Sequence, residues 1–427
     1  MALVTLTYNS STGSDTAASG SGPATAVTGS TATNGTGNVI NLDGSPDLSG
    51  VLGNAVFWGN TASGNRKLSR VTSVDDTSKT VTTEDLLTLG AGKSWAIGGK
   101  RQTLTADTTN QDPKDATAGW RFELEGSGTY TFAGAGITLP DVGDTANGGV
   151  EIVAAAGASP TIAWTGNNHL FATVGGHFRV EGIAFSNTTS TSSLARVVRF
   201  AAGVSHFEAV DCSMVCSGSC VFAASTLEAR LVSCDLESTY SNGVELQKEG
   251  GVLLIDCEIH ECGAVGASAG TGDGVLLSPS NSYATLTLIG TRIWGSYANG
   301  VRVDSDSADC TLFALKNTID DNGEDGFWFG GTLSVTNRAT LLMNSITQNL
   351  YGVNVNSAAG GDWTILTDWN GYWSNTSGET NNVTKGAGSV SALVDPYVDS
   401  AARDYRLNAT ATGGPYFRQA GLVDMTP

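Results

Sequence analysis

From Trp120 onward, apolar and polar positions alternate in short runs that come back at regular intervals. FRVEGIAF (178–185), EAVDCSM (208–214), ARLVSCDL (229–236), VLLIDCEI (252–259), LTLIGTRI (286–293), LFALKNTI (312–319) and TLLMNSI (340–346) are successive versions of one segment. A second phrase follows the last five at matched spacing: Asn242-Gly243-Val244, Asp273-Gly274-Val275, Asn299-Gly300-Val301, Asp325-Gly326-Phe327 and Tyr351-Gly352-Val353. Its glycines are 31, 26, 26 and 26 residues apart. Self-similarity at this period marks a solenoid. The period-2 alternation and the Gly, Thr and Asn content exclude helical repeats, and no leucine-rich series recurs. The pattern predicts an all-β chain: a right-handed parallel β-helix, with two or three short strands per coil and Asx-Gly at a corner. At that corner Asn and Gly would take up a left-handed backbone.

The alternation also sorts side chains. Val244/Leu246, Val275/Leu277, Val301/Val303, Phe327/Phe329 and Val353/Val355 are expected inside. Their neighbours Glu245, Leu276, Arg302, Trp328 and Asn354 are expected outside. In the other strand Ile259, Ile293, Ile319 and Ile346 stack inward, and Cys212, Cys234 and Cys257, at steps of 22 and 23, form an internal ladder of small apolar groups.

Before Trp120 the pattern differs. Residues 1–37 are rich in Ser, Thr, Gly and Ala and read as a flexible arm, or as a segment that orders on a partner. Strand-like runs at Asn38–Leu42, Gly53–Trp58, Leu68–Val74, Lys79–Thr83 and Ser94–Ile97 predict a small β domain over 38–105. Residues 106–119 read as a linker, 120–375 as the β-helix and 376–427 as a C-terminal cap and tail. The aromatic stretch DWTILTDWNGYWSN (362–375) is expected to belong to the capping of the open end.

Charge narrows the partners. The net charge of −19 makes nucleic acid an unsuitable ligand. A glycan, or a neutral or cationic partner, stays open. The first twenty residues carry no basic n-region and no apolar core, so no secretory signal is expected, and no run is apolar enough for membrane insertion. Seven Cys, an odd number with no Cys-x-x-Cys, predict free buried thiols. Their spacing gives no metal site. Gly266-Ala267-Ser268-Ala269-Gly270 matches a nucleophile elbow, but all four His lie upstream and no strand–elbow–helix pattern surrounds it, so it reads as a loop.

The Asx-Gly-Val coils resemble the right-handed parallel β-helix (pectate-lyase-like) superfamily. VDPYVDSAARDYRLN (394–408) is similar to the closing segment of bacterial members, although TGGPYFRQAGLVDMTP follows it in place of their small-residue phrase. TYNSSTGSDTAASGSGPATAV and SWAIGGKR (94–101) resemble the head of phage or prophage virion proteins. The resemblance implies a tailspike, fibre or head decoration on the particle, usually homotrimeric. Such a protein would be made in the cytoplasm, released by lysis, and joined to other virion proteins through its N-terminal region.

The superfamily also contains polygalacturonases and Ca²⁺-dependent lyases, which makes Ca²⁺ the one cofactor to consider. A polysaccharide lyase or hydrolase is therefore the alternative reading, and a bacterial adhesin a second one. Asp304, Asp306, Asp309, Asp320, Asp321 and Asp325 form an acidic run, and paired carboxylates can cleave a glycosidic bond. Asp304, Asp320, Asp321 and Asp325 are the catalytic candidates, against the ordinary corner chemistry of Asp320-Asp321-Asn322-Gly323. The outward Glu245, Arg302 and Trp328, and the outward His260 and Trp294, are the candidates for contact with a sugar or a subunit.

Overall fold

In the computed structural model the chain divides into two compact units, residues 1–166 with 171–186, and residues 167–170 with 187–427. The structure describes residues 4–9, 27–30, 36–51, 55–60, 66–89, 91–97, 120–133, 137–139 and 149–422, the last run without 174, 188, 264–271, 281–282, 306–308, 332–335 and 357–361. The linker at 106–119, Asp306 and the elbow-like loop at 266–270 lie outside the described residues.

The first unit opens with an antiparallel sheet of six strands drawn from Val27–Ser30, Thr36–Asn41, Val56–Asn60, Arg66–Asp75, Thr80–Thr88 and Ser94–Ile97. Its alternation buries Ile40, Phe57, Val71, Val81, Trp95 and Ile97 in one core. Parallel coils follow, in which Val150–Ala154 lies between Trp120–Glu125 and Gly176–Glu181. Val4–Asn9 pairs in parallel with Trp120–Glu125. This part of the expected arm is therefore a strand that covers a sheet edge.

The second unit is built from three parallel sheets, visited in the order A, B, C by each coil. Sheet A runs from Val204–Val210 to Asp362–Asp368, sheet B from Ser213–Cys216 to Val390–Ser391, and sheet C from Val198–Phe200 to Gly378–Asn381. Registers hold from coil to coil: Ile259 faces Ile293, Ile293 faces Ile319, and Ile319 faces Ile346. All four are fully buried. Each such side chain stabilises the fold by about 1.5–3 kcal/mol through removal from water.

The turns are as periodic as the strands. Between sheets A and B, one residue takes a left-handed backbone: Asp211, Ser233, Asp256, Gly290, Lys316, Met343 or Trp369, with φ between 51° and 63°. The next residue points inward. It is Cys212, Cys234 or Cys257 in the early coils, then Thr291, then Asn317, Asn344 and Asn370. The thiols are free and buried, as is every other Cys. The amides hydrogen-bond along the stack, Asn317 to Asn344 at 2.8 Å and Asn344 to Asn370 at 3.0 Å, and each also caps a carbonyl of the preceding coil. A second ladder, Asn322–Asn349–Asn375, fills the turn between sheets B and C. Buried amides are tolerated here because the stacking repeat gives each one a partner above and below.

The Asx-Gly corners form a third ladder. Asn242 accepts the amide of Asp273, Asp273 that of Asn299, Asn299 that of Asp325, and Asp325 that of Tyr351. The corner glycines serve a different purpose from the one expected. None of Gly243, Gly274, Gly300, Gly326 or Gly352 has a left-handed φ. They are needed for space: a Cβ on Gly300 would lie 2.7 Å from Ile319 Cγ2 and 2.8 Å from the Gly326 carbonyl. The inward ladder of sheet C is buried as expected up to Val353, whereas Val355 is only half-buried.

Residues 362–375 are not part of the cap. Asp362–Asp368 and Gly371–Trp373 are regular strands of sheets A and B. Tyr372 fills the interior, and Trp363 packs on Phe329 with ring centroids 4.7 Å apart. The β-helix therefore continues to Val390–Ser391. The cap comes after it. A hairpin of Tyr397–Asp399 and Asp404–Leu407 and a short helix, Gly414–Gln419, gather Tyr397, Tyr405, Leu407 and Phe417 into one cluster. Phe417 closes against Gly371, where a Cβ would sit 2.7 Å from its ring.

Candidate functional site

The outward column of sheet C runs Arg199, Phe222, Glu245, Leu276, Arg302, Trp328, Asn354, Asn381. Parallel pairing spaces these side chains by about 4.8 Å. Arg302 and Trp328 form its centre. The guanidinium carbon stands 4.8 Å from the indole ring, and Nη2 donates to Asp304 at 2.6 Å. The indole leans over Gly330, where a Cβ would be 2.0 Å from it. Glu245 is not open to solvent as expected. Ser219, Asn242 and Gln247 all donate to its carboxylate and cover it.

At the other end of the column Arg196 lies over the Phe222 ring at 3.5 Å. Its Nε, like that of Arg199, is buried with no hydrogen-bond partner among the described residues. Burial, with Arg199 beside it, pulls the Arg196 guanidinium below its usual pKa against the attraction of Glu245. His169 is pushed down likewise, by burial and by both arginines. Two guanidinium groups and an imidazole thus share one region of an acidic protein.

The outward column of sheet B runs Glu237, His260, Trp294, Asp320, Thr347, Trp373. His260 and Trp294 stack at 4.7 Å and 7°. The indole Nε1 donates to Glu258, which also takes Arg292 at 2.6 Å. Arg403 of the cap lies over Trp294 at 4.3 Å and reaches Asp320 at 3.4 Å and Asp321 at 3.1 Å. This column is therefore occupied from within the chain.

The four catalytic candidates are dispersed. Asp304 is on sheet C, Asp320 on sheet B, Asp321 in the turn after it, and Asp325 at the corner before sheet C. Asp320 is fully buried and accepts from Thr347, Gln348 and Tyr405. Burial raises its carboxyl to about 6 against these bonds and Arg403. Asp325 is buried, raised by that burial, and bonded to Tyr351 and Asn354. Asp321 is exposed at a left-handed turn position, and Asp309 is exposed.

Residues 197–365 match a family described as the right handed beta helix region. The fold is a right-handed parallel β-helix. No curated protein matches the chain in sequence. Among solved structures, pectate lyase Pel9A is similar at 13% identity, over 69% of this chain and 82% of that one, with a TM-score of 0.37. The Dettilon tailspike protein is similar at 13% identity, over 65% of this chain and 56% of that one, with a TM-score of 0.41. The A-module of the Azotobacter vinelandii mannuronan C-5 epimerase AlgE4 is similar at 14% identity, over 65% and 89%, with a TM-score of 0.29. At such identities these likenesses concern the β-helix alone.

The sequence missed two features. Arg196, Arg199 and Phe222 precede the regular Asx-Gly corners that drew attention to the later coils. Arg403 is 83 residues from Asp320, and no periodicity joins them.

Proposed function

We propose that this chain is a non-enzymatic structural protein displayed on the surface of a phage or prophage particle, as a tailspike, fibre or head decoration. Its contact surface is the outer face of sheet C, and its ligand is a host glycan or a neighbouring virion subunit. The observation that carries this reading is the Arg302–Trp328 pair facing outward from a rigid sheet. An indole offers a flat apolar face to a sugar ring, and the adjoining Arg and Asp offer hydrogen bonds to hydroxyls. Further along the same column Arg196 covers the Phe222 ring. The small N-terminal β domain is the natural attachment to other virion proteins, and a homotrimer is the assembly we expect. Quantitative mass spectrometry of purified particles tests the reading. The chain is expected as a stoichiometric component; particles without it rule the reading out.

A second reading, a polysaccharide lyase or hydrolase, is favoured by one observation. Asp304 and Trp328 sit in adjacent strands of the same sheet, with Arg302 between carboxylate and indole. Depolymerisation by the wild type that is abolished in Asp304→Asn would support it. Activity unchanged in Asp304→Asn would remove Asp304 from consideration.

A further inference from the structure

The head of the sheet B column carries chemistry that the surface reading does not use. An imidazole nitrogen of His260 and one carboxylate oxygen each of Glu237 and Glu261 lie within 4.8 Å of one another. Glu237 and His260 are register partners in adjacent strands, so the pleat holds both on the outer face. Glu261 would alternate inward if the strand continued. Its left-handed backbone, φ 52°, lets it share the outer side instead.

The imidazole is held in place before any ion arrives. Its Nε2 is 2.8 Å from Asp235 Oδ1, and its ring lies flat against Trp294. A carboxylate that accepts one ring N–H fixes the tautomer and leaves the lone pair on the other nitrogen. That nitrogen, Nδ1, is buried and has no hydrogen-bond partner among the described residues. Two carboxylates, an oriented imidazole with a free lone pair, and a carboxylate behind the imidazole are the parts of a metal site.

We propose that Glu237, His260 and Glu261 bind one divalent transition-metal ion of the Zn²⁺ type, with Asp235 positioning the imidazole. The imidazole ligand favours Zn²⁺, Co²⁺ or Ni²⁺ over Ca²⁺ and Mg²⁺, which take all-oxygen shells. Three protein ligands leave a fourth tetrahedral position for water. Glu237 belongs to one coil and His260 and Glu261 to the next, so the ion ties two coils together and stabilises the folded chain by mass action.

The test uses the full chain without an affinity tag, stripped with EDTA. It is titrated with ZnCl₂ by calorimetry and with CoCl₂ by visible absorption. One ion per chain is expected at micromolar affinity, with Co²⁺ d–d bands and no thiolate charge-transfer band, because the Cys thiols are buried in the interior of the coils whereas Glu237 and His260 face outward. His260→Ala and Glu261→Gln should each weaken binding by at least about tenfold, and Asp235→Asn by about 10–100-fold. His206→Ala, on sheet A, should bind as the wild type does. Glu261 is exposed, so Glu261→Gln keeps the fold and decides the matter if His260→Ala fails to fold. No binding at millimolar metal, wild-type affinity in Glu261→Gln, or a thiolate band overturns the proposal.

Discussion

The side-chain amide of Asn317 donates to Oδ1 of Asn344, its counterpart in the next coil, at 2.8 Å. Asn344 also accepts the Asn317 main-chain N–H and donates to the Ala314 carbonyl and to Asn370. Asn344→Ala would orphan buried groups on both sides. Each orphaned group costs about 1–3 kcal/mol, so a loss of about 3 kcal/mol is expected in denaturant unfolding. A loss below about 1 kcal/mol would mean that the ladder contributes little.

Gly300→Ala tests the corner. The backbone there is accessible to any residue, so the cost must come from crowding against Ile319 and the Gly326 carbonyl. We expect destabilisation by about 1–3 kcal/mol. Alanine at Gly44, by contrast, meets no atom within 4 Å and is penalised by its φ of 79° alone. Thermal unfolding of the two variants separates the two mechanisms.

The repeat was legible because Ile259, Ile293, Ile319 and Ile346 and the corner glycines recur at steps close to one coil. The Asn ladders were equally periodic, at 27 and 26 residues, but amides in strand turns are usually read as solvent-facing. Burial of Glu245 could not be read at all. Period-2 alternation assigns a side, whereas Ser219, Asn242 and Gln247 decide whether that side is covered. The outward stacking of His260 on Trp294 was legible, but the arrival of Arg403 from the cap was not.

Asp273 gives a pH dependence with a definite sign. It is fully buried, Oδ2 has no hydrogen-bond partner among the described residues, and burial raises its carboxyl to about 6 against the Asn299 hydrogen bonds. An unfolded Asp titrates near 3.9. The folded state therefore binds the proton first, and this contribution to stability is complete below about pH 4 and lost as pH rises to about 6. In Asp273→Asn the new amide can donate to Asn242 as Asn299 now donates to Asp273. Unfolding midpoints measured from pH 4 to 7 should fall less steeply for the variant than for the wild type. Parallel curves would contradict this.

Arg403 fastens the cap. Arg403→Ala removes its bonds to the buried Asp320 and to Asp321 and its stacking on Trp294. A loss of about 1.5–3 kcal/mol is expected, with earlier proteolytic cleavage after residue 392 than in the wild type. Arg403→Lys should not restore the wild-type behaviour, because an ammonium cannot fork to two carboxylates and stack at once. Full rescue by Lys would reduce Arg403 to a simple counter-charge.

The proposed contact surface is tested most directly by binding. The chain, Arg302→Ala and Trp328→Ala should be compared on a panel of bacterial surface polysaccharides, with Arg230→Ala on sheet A as the control. The wild type and Arg230→Ala are expected to bind at least one polysaccharide equally, and each sheet C variant to lose about 2 kcal/mol, roughly thirtyfold in affinity. Binding that survives unchanged in both Arg302→Ala and Trp328→Ala would contradict the assignment of glycan contact to sheet C.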